Sequence, residues 1–146
     1  MNLFQSFEIS ASGLNAQRMV INVIAENLAN SQTTRTERGG PYLRKQAILT
    51  ASPLPPPFSD LLSKKIGEEA MGVRVAEIVE NVDGIKTVFD PSHPDADETG
   101  LVALPNINLM EEMVVLLSAT RVYEANVSAF NAAKNMALKA LEIGNR

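Results

Sequence analysis

Asp90, His93, Asp95, Asp97 and Glu98 form the most reactive-looking grouping in the chain, one imidazole within a short run of carboxylates. A metal ion accepts such a donor set. The same residue types also suit a solvated turn, where Asp bonds its own backbone and proline pre-sets φ; Pro91 and Pro94 punctuate the run. The spacing lacks the sixth-position glycine and twelfth-position glutamate of an EF-hand loop. The turn reading is therefore preferred, and no metal ligand is assigned.

Other chemistry has less to stand on. His93 is the only histidine and there is no cysteine, so disulfides, thiolate zinc sites and a cysteine nucleophile are excluded. Without a Gly-x-Ser-x-Gly elbow or a glycine-rich phosphate loop, neither a catalytic triad nor a nucleotide site is indicated. No catalytic or cofactor-binding residue is assigned, and the chain is not expected to be an enzyme. Arg35, Arg38, Arg44 and Lys45 form a basic cluster interrupted by Glu37, which reads as a solvated loop with an acidic partner as the alternative. Asn126-Val127-Ser128 matches a glycosylation acceptor but falls inside a predicted helix. The formal charge of −4 and an aromatic content of 5% without tryptophan argue against nucleic-acid binding.

The elements that carry these residues are two long helices and a different middle. Phe4, Phe7, Ala11, Leu14, Ile21, Ala25 and Leu28 recur in steps of three and four, broken at Arg18. Leu109, Met113, Leu116, Tyr123, Val127, Phe130, Ala137 and Leu141 do the same, broken at Thr120 and Lys134. Such spacing holds one seam of a helix against a partner. The first helix is predicted from about residue 4 to Leu28 or Asn30, ending in the turn-favouring string Asn30 to Thr34. The second is predicted to begin after Asn108, an N-cap with Glu111 as its capping-box mate, and to end at Gly144.

Between them, residues 42–50 read as a strand, and Pro53 to Pro57 as a stiff polyproline linker, with a docking ligand as the alternative. Residues 58–69 read as a loop or short helix. Residues 73–79 read as a strand whose partner, Ile85–Phe89, returns across an Asp83-Gly84 hairpin turn, and residues 101–104 as a short extended piece.

The fold class is thus mainly α with a small β insert, the terminal helices paired as a coiled coil. The domains are 1–32 plus 106–146 as a helical module and 33–105 as a β-rich insert with its proline linker at 53–57. One stripe per helix covers too little apolar surface to offset the ordering of so much backbone, and a two-helix rod leaves flanking Val20, Ile24, Val114 and Leu117 in water. Marginal order in isolation, firmed by other chains, is the expectation. No uninterrupted apolar run suits a cleaved secretory leader or a membrane span.

Two stretches carry a resemblance. Ser10-Ala11-Ser12-Gly13-Leu14-Asn15-Ala16-Gln17 through Ala25-Glu26-Asn27-Leu28-Ala29-Asn30 is similar to the N-terminal signature of bacterial flagellar axial proteins. Pro105-Asn106-Ile107-Asn108, Met110-x-x-Met113, Tyr123-Glu124-Ala125-Asn126-Val127 and Asn131-x-x-Lys134 resemble their C-terminal signature. Gly72-Val73-Arg74-Val75, Phe89 to Asp97 and Gly100-Leu101-Val102 resemble, within the basal-body rod proteins, the small proximal rod subunits, which more often carry tyrosine where Phe89 stands. Residues 53–70 match nothing specific.

The resemblance implies a structural subunit of the proximal rod that assembles axially through its terminal helices into the drive shaft around an export channel. It implies Leu14, Ile21, Leu28, Met113, Leu116, Tyr123, Val127, Phe130 and Leu141 as subunit-packing residues, and Asn27, Asn30, Pro105, Asn106 and Asn126 as family-motif positions. Implied partners are neighbouring copies, other rod proteins, basal-body ring or export-gate-adjacent proteins and the flagellar type III export apparatus. Neither nucleic acid nor direct membrane insertion is implied. Location would be the periplasmic rod of the basal body, reached without a cleaved signal peptide. A soluble cytoplasmic coiled-coil adaptor or export chaperone is the alternative.

Overall fold

The computed structural model describes residues 3–54, 71–82 and 85–144. In chain order they form α1 (Leu3–Ala29), β1 (Lys45–Pro53), β2 (Met71–Glu80), β3 (Ile85–Phe89), β4 (Leu101–Pro105) and α2 (Leu109–Gly144). The architecture is mainly helical, with the long helices at the two ends and short strands between them.

Both helices stop and start on local side-chain chemistry. At the end of α1 the Asn30 amide donates to the Glu26 carbonyl at 2.9 Å, and the Ser31 hydroxyl donates to the Leu28 carbonyl at 2.9 Å. These side chains add a second donor to carbonyls of the last turn, which also accept the Asn30 N–H at 3.0 Å and the Ser31 N–H at 3.4 Å. At the start of α2 the Asn108 side-chain oxygen accepts the Met110 N–H at 3.1 Å, an N-cap as expected. Glu111 and Glu112 occupy the first turn, where negative charge complements the helix dipole.

The strands make two two-stranded sheets, β1 with β2 and β3 with β4. The second is antiparallel, in register from Ile85 opposite Pro105 to Phe89 opposite Leu101. This corrects the expected pairing of Ile85–Phe89 with the strand before it; residues 83–84, the supposed turn, lie outside the described residues. The connection 90–100 closes on itself instead. The Asp90 N–H donates to the Gly100 carbonyl at 2.9 Å and the Asp97 N–H to the Leu101 carbonyl at 3.0 Å. Gly100 takes a φ of +75°, which an L side chain rarely adopts.

The first strand also starts later than expected, at Lys45, and runs through Pro53, so Pro53 ends a strand rather than opening a polyproline run. Pro55 to Pro57 and residues 58–69 lie outside the described residues.

The chain divides into two compact units, and both helices contribute to each. One comprises Met1–Met19, Leu49–Ala76 and Thr120–Arg146. Within it the Phe7 and Phe130 rings meet at 5.0 Å between centroids, tilted by 56°, an arrangement aromatic pairs favour. Ala16 and Ala133 are its buried apolar side chains. The other comprises Val20–Ile48 and Glu77–Ala119, with Val23, Ile24, Tyr42, Val102 and Ala119 buried.

Candidate functional site

On α2 the residues drawn away from solvent are Glu112, Leu116, Ala119, Tyr123, Asn126, Phe130, Ala133 and Ala137, joined by Thr120 and Val127. The first eight follow steps of four and three without a break. This line shares Leu116, Tyr123, Phe130 and Ala137 with the apolar stripe of the sequence. Between them its most buried residues lie one earlier in the chain, Glu112 before exposed Met113, Ala119 before half-buried Thr120, and Ala133 before exposed Lys134. Met113 is 52% exposed and Leu141 70%.

On α1 the most buried residues are Ala16, Val23, Ile24 and Asn27. Leu14, Ile21 and Leu28 are half-buried, while Ala25 and Arg18 are exposed and Phe4 is 71% exposed. Each helix therefore turns one edge of its apolar stripe inward and leaves the other edge at the surface. Of the four flanking residues expected in water, Val114 and Leu117 are exposed. Val20 is half-buried and Ile24 buried, both within the second unit.

At its first residue, within the second unit, the buried line is polar. Asn27 is 1% exposed and Glu112 2%. The Asn27 side-chain N–H₂ donates to Glu112 Oε2 at 3.2 Å and to the Lys45 carbonyl at 2.8 Å. Its oxygen accepts the Lys45 N–H at 2.9 Å and the Tyr42 hydroxyl at 3.0 Å. Arg44 Nε donates to Glu112 Oε1 at 2.6 Å. Burial, reinforced by the nearby Glu26, Glu80 and Glu112 carboxylates, pushes the Tyr42 hydroxyl up to about 12, which keeps it a donor at any physiological pH. Among the described residues no buried side-chain nitrogen or oxygen lacks a partner.

This cluster explains the late start of β1, since Asn27 holds both backbone groups of Lys45. Sequence reasoning missed Glu112, Tyr42 and Arg44 as a group. The legible signal was the second three-four line through Glu112, Ala119 and Ala133, which small residues made inconspicuous.

The motif asparagines separate by role. Asn27 is buried in the cluster, Asn30 caps α1, and Asn126 lies against Gly13, whose added Cβ would meet its side chain at 3.0 Å. Asn106 is exposed and Pro105 buried at the end of β4.

The basic cluster pairs with carboxylates of its own chain. Arg35 reaches Asp95 at 4.0 Å, Arg38 reaches Glu80 at 3.5 Å, Arg44 holds Glu112 and Lys45 holds Glu26. Except at Glu112 these are surface pairs, worth little individually.

Two carboxylates of the acidic turn, Asp90 and Asp97, are bonded within the turn itself. Asp90 Oδ1 accepts the Ser92 hydroxyl at 2.7 Å and the Ser92 N–H at 3.1 Å. Asp97 Oδ1 accepts the Thr99 hydroxyl at 2.7 Å, the Thr99 N–H at 2.8 Å and the Leu101 N–H at 2.9 Å. These donors hold both carboxyls below the usual range, the Ser92 hydroxyl foremost for Asp90 and the Thr99 hydroxyl for Asp97. Among the described residues no group of three or more His, Cys, Asp or Glu side chains is placed to hold a metal ion, and no helix is long and apolar enough to cross a membrane.

Known proteins resemble this chain in sequence. Residues 7–35 match the family described as "Flagella basal body rod protein", and residues 98–143 the family described as "Flagellar basal body rod FlgEFG protein C-terminal". The chain is 44% identical to the flagellar basal-body rod protein FlgC of Borreliella burgdorferi, over 98% of both chains. It is 43% identical to that of Bacillus subtilis and 38% identical to that of Escherichia coli, in each case over 99% of both chains. A polar-stitched pair of helix ends, two helices with an apolar edge left outside, and full-length likeness to rod proteins converge: the chain belongs to the FlgC family of flagellar basal-body rod proteins and is a structural subunit of the basal-body rod.

Proposed function

We propose that the chain assembles axially, as part of the proximal rod, by packing its terminal helices against those of neighbouring copies and of other rod proteins. Residues 1–32 and 106–146 act as the rod-core module, their helices paired as a coiled coil around an export channel, while residues 33–105 form the insert. The chain reaches the periplasm through the flagellar type III export apparatus, and meets basal-body ring or export-gate-adjacent proteins at the rod base. No residue is catalytic.

One observation carries this reading. The apolar stripe of α2 is left half outside, with Met113 at the surface beside Met110, Val114 and Leu117, and Leu141 beside Leu138 and Ile143. An apolar face of this extent marks a surface that another chain covers. Antiparallel approach within the first unit, Phe7 at Phe130 and Gly13 at Asn126, supports the coiled-coil pairing.

The test uses Met113→Asp and Leu141→Asp, which change exposed side chains and leave the folded chain intact. Both variants should be exported and absent from purified basal bodies, with swimming lost. Normal swimming in both would overturn the reading. Wild-type chain that stays in the cytoplasm with export intact would point instead to an adaptor or chaperone.

A further inference from the structure

The chain buries Glu112 where its sequence offers Met113. Successive helical residues are set about 100° apart, so the choice between these two lines is a choice of rotation of α2 about its own axis. With Glu112 inside, Met110, Met113, Val114 and Leu117 are outside. On apolar burial alone the opposite rotation would be favoured, since a carboxylate is costly to bury and a methionine is not. The carboxylate is accommodated because Asn27 donates to one of its oxygens at 3.2 Å and Arg44 to the other at 2.6 Å. Asn27 is itself held from the other side by Tyr42 and by both backbone groups of Lys45.

We propose that Asn27 and Glu112 are a positioning pair that sets the rotation of α2 and thereby presents Met110, Met113, Val114 and Leu117 to other subunits. The proposal rests on the reading of that face as an assembly surface. A single matched polar pair in an otherwise apolar seam specifies register at some cost in stability. Here the cost is accepted because the competing rotation would bury the residues that assembly needs outside. It would also leave Asn27, fixed by the insert, facing apolar side chains. The pair can therefore close only when residues 42–45 are in place.

The absence of cysteine makes the rotation measurable. Met113→Cys and Ala119→Cys each give the full-length chain one thiol, at an exposed and at a buried position. In the otherwise unchanged chain, position 113 should react with a soluble thiol reagent at least about tenfold faster than position 119. Asn27→Leu leaves Glu112 facing an apolar side chain, so α2 should turn Glu112 and Ala119 outward and Met113 inward, and the ratio should invert, position 119 reacting faster than position 113, with helix content by circular dichroism retained. Where Asn27→Leu loses its helix content, Asn27→Ala decides by the same ratio. An unchanged ratio overturns the proposal. So does a ratio that settles near one in the deciding variant because position 119 speeds up while position 113 is not slowed, which is what loss of a merely stabilising contact produces. The labelling is read on the isolated chain. If the ratio inverts while Asn27→Leu cells still swim, the pair sets the rotation and the reading of that face as an assembly surface is what fails.

Discussion

Gly13 on α1 and Asn126 on α2 touch where one helix has no side chain: a Cβ at Gly13 would lie 3.0 Å from the Asn126 side-chain nitrogen and 3.3 Å from its side-chain carbon. Both residues lie in stretches that resemble the flagellar signatures, and this contact gives a physical reason for a glycine inside a helix, where it otherwise costs about 1 kcal/mol relative to alanine.

Gly13→Ala combines that gain in helix propensity with a clash against the movable end of one side chain. The two should nearly cancel, leaving stability to chemical denaturation within about 1 kcal/mol of the parent. Gly13→Leu has no such escape and should cost about 1–3 kcal/mol. Equal stability of the two variants would mean that the helices are not this close.

Gly72 on β2 stands in a similar relation to Ser12 of α1. An added Cβ would fall 2.8 Å from Ser12 Oγ and 2.9 Å from a Leu54 methyl. The hydroxyl cannot swing aside freely, because it accepts the Val73 N–H at 3.1 Å and donates to the Ile9 carbonyl at 2.7 Å. Gly72→Ala should therefore cost roughly 1–3 kcal/mol. In a double-mutant cycle Ser12→Ala should recover part of that cost, with a coupling energy above about 0.5 kcal/mol. Strict additivity would show that the strand does not rest on Ser12.

Asn108 caps α2 through one bond, to the Met110 N–H. Asn108→Ala should lower stability by about 1 kcal/mol, whereas Asn108→Asp, which keeps an acceptor next to a helix N-terminus, should be close to neutral. Thermal or denaturant unfolding of the two variants checks this order.

The acidic turn predicts a direction with pH. The folded turn holds Asp90 and Asp97 below the ordinary carboxylate range, through the Ser92 and Thr99 hydroxyls above all. A depressed folded value means that the folded state binds fewer protons, so the contribution is present above the unfolded value of about 4 and is lost as pH falls through the lower folded value. Amide signals of Thr99 and Leu101, followed by NMR, should keep their folded positions at pH about 4 and move only below it. Asp97→Asn should flatten that step. Movement already complete above the ordinary aspartate range would contradict the turn geometry.

Helix extents were legible because they depend on neighbours in the chain. The three-four periodicity, the Asn108 cap and the polar string after Leu28 placed both helices within a few residues of α1 and α2. Turn chemistry was legible for the same reason, in the self-bonded Asp90 and Asp97. The basic cluster was visible as residues but not as pairs, since its carboxylate partners lie far away in sequence, as Arg44 and Glu112 do.

What the sequence determined by itself is the set of long helices, the small strand-bearing middle and the presence of an apolar stripe on each helix; all follow from local propensity and periodicity. Tertiary structure alone decided which edge of each stripe is used inside the chain, and that β3 pairs with β4 rather than with the strand before it. The reason is one of distance along the chain. Asn27 and Glu112 are 85 residues apart. Nothing near either residue marks the other as its partner, and only their meeting around Lys45, Tyr42 and Arg44 makes it favourable to bury a carboxylate and leave a methionine outside.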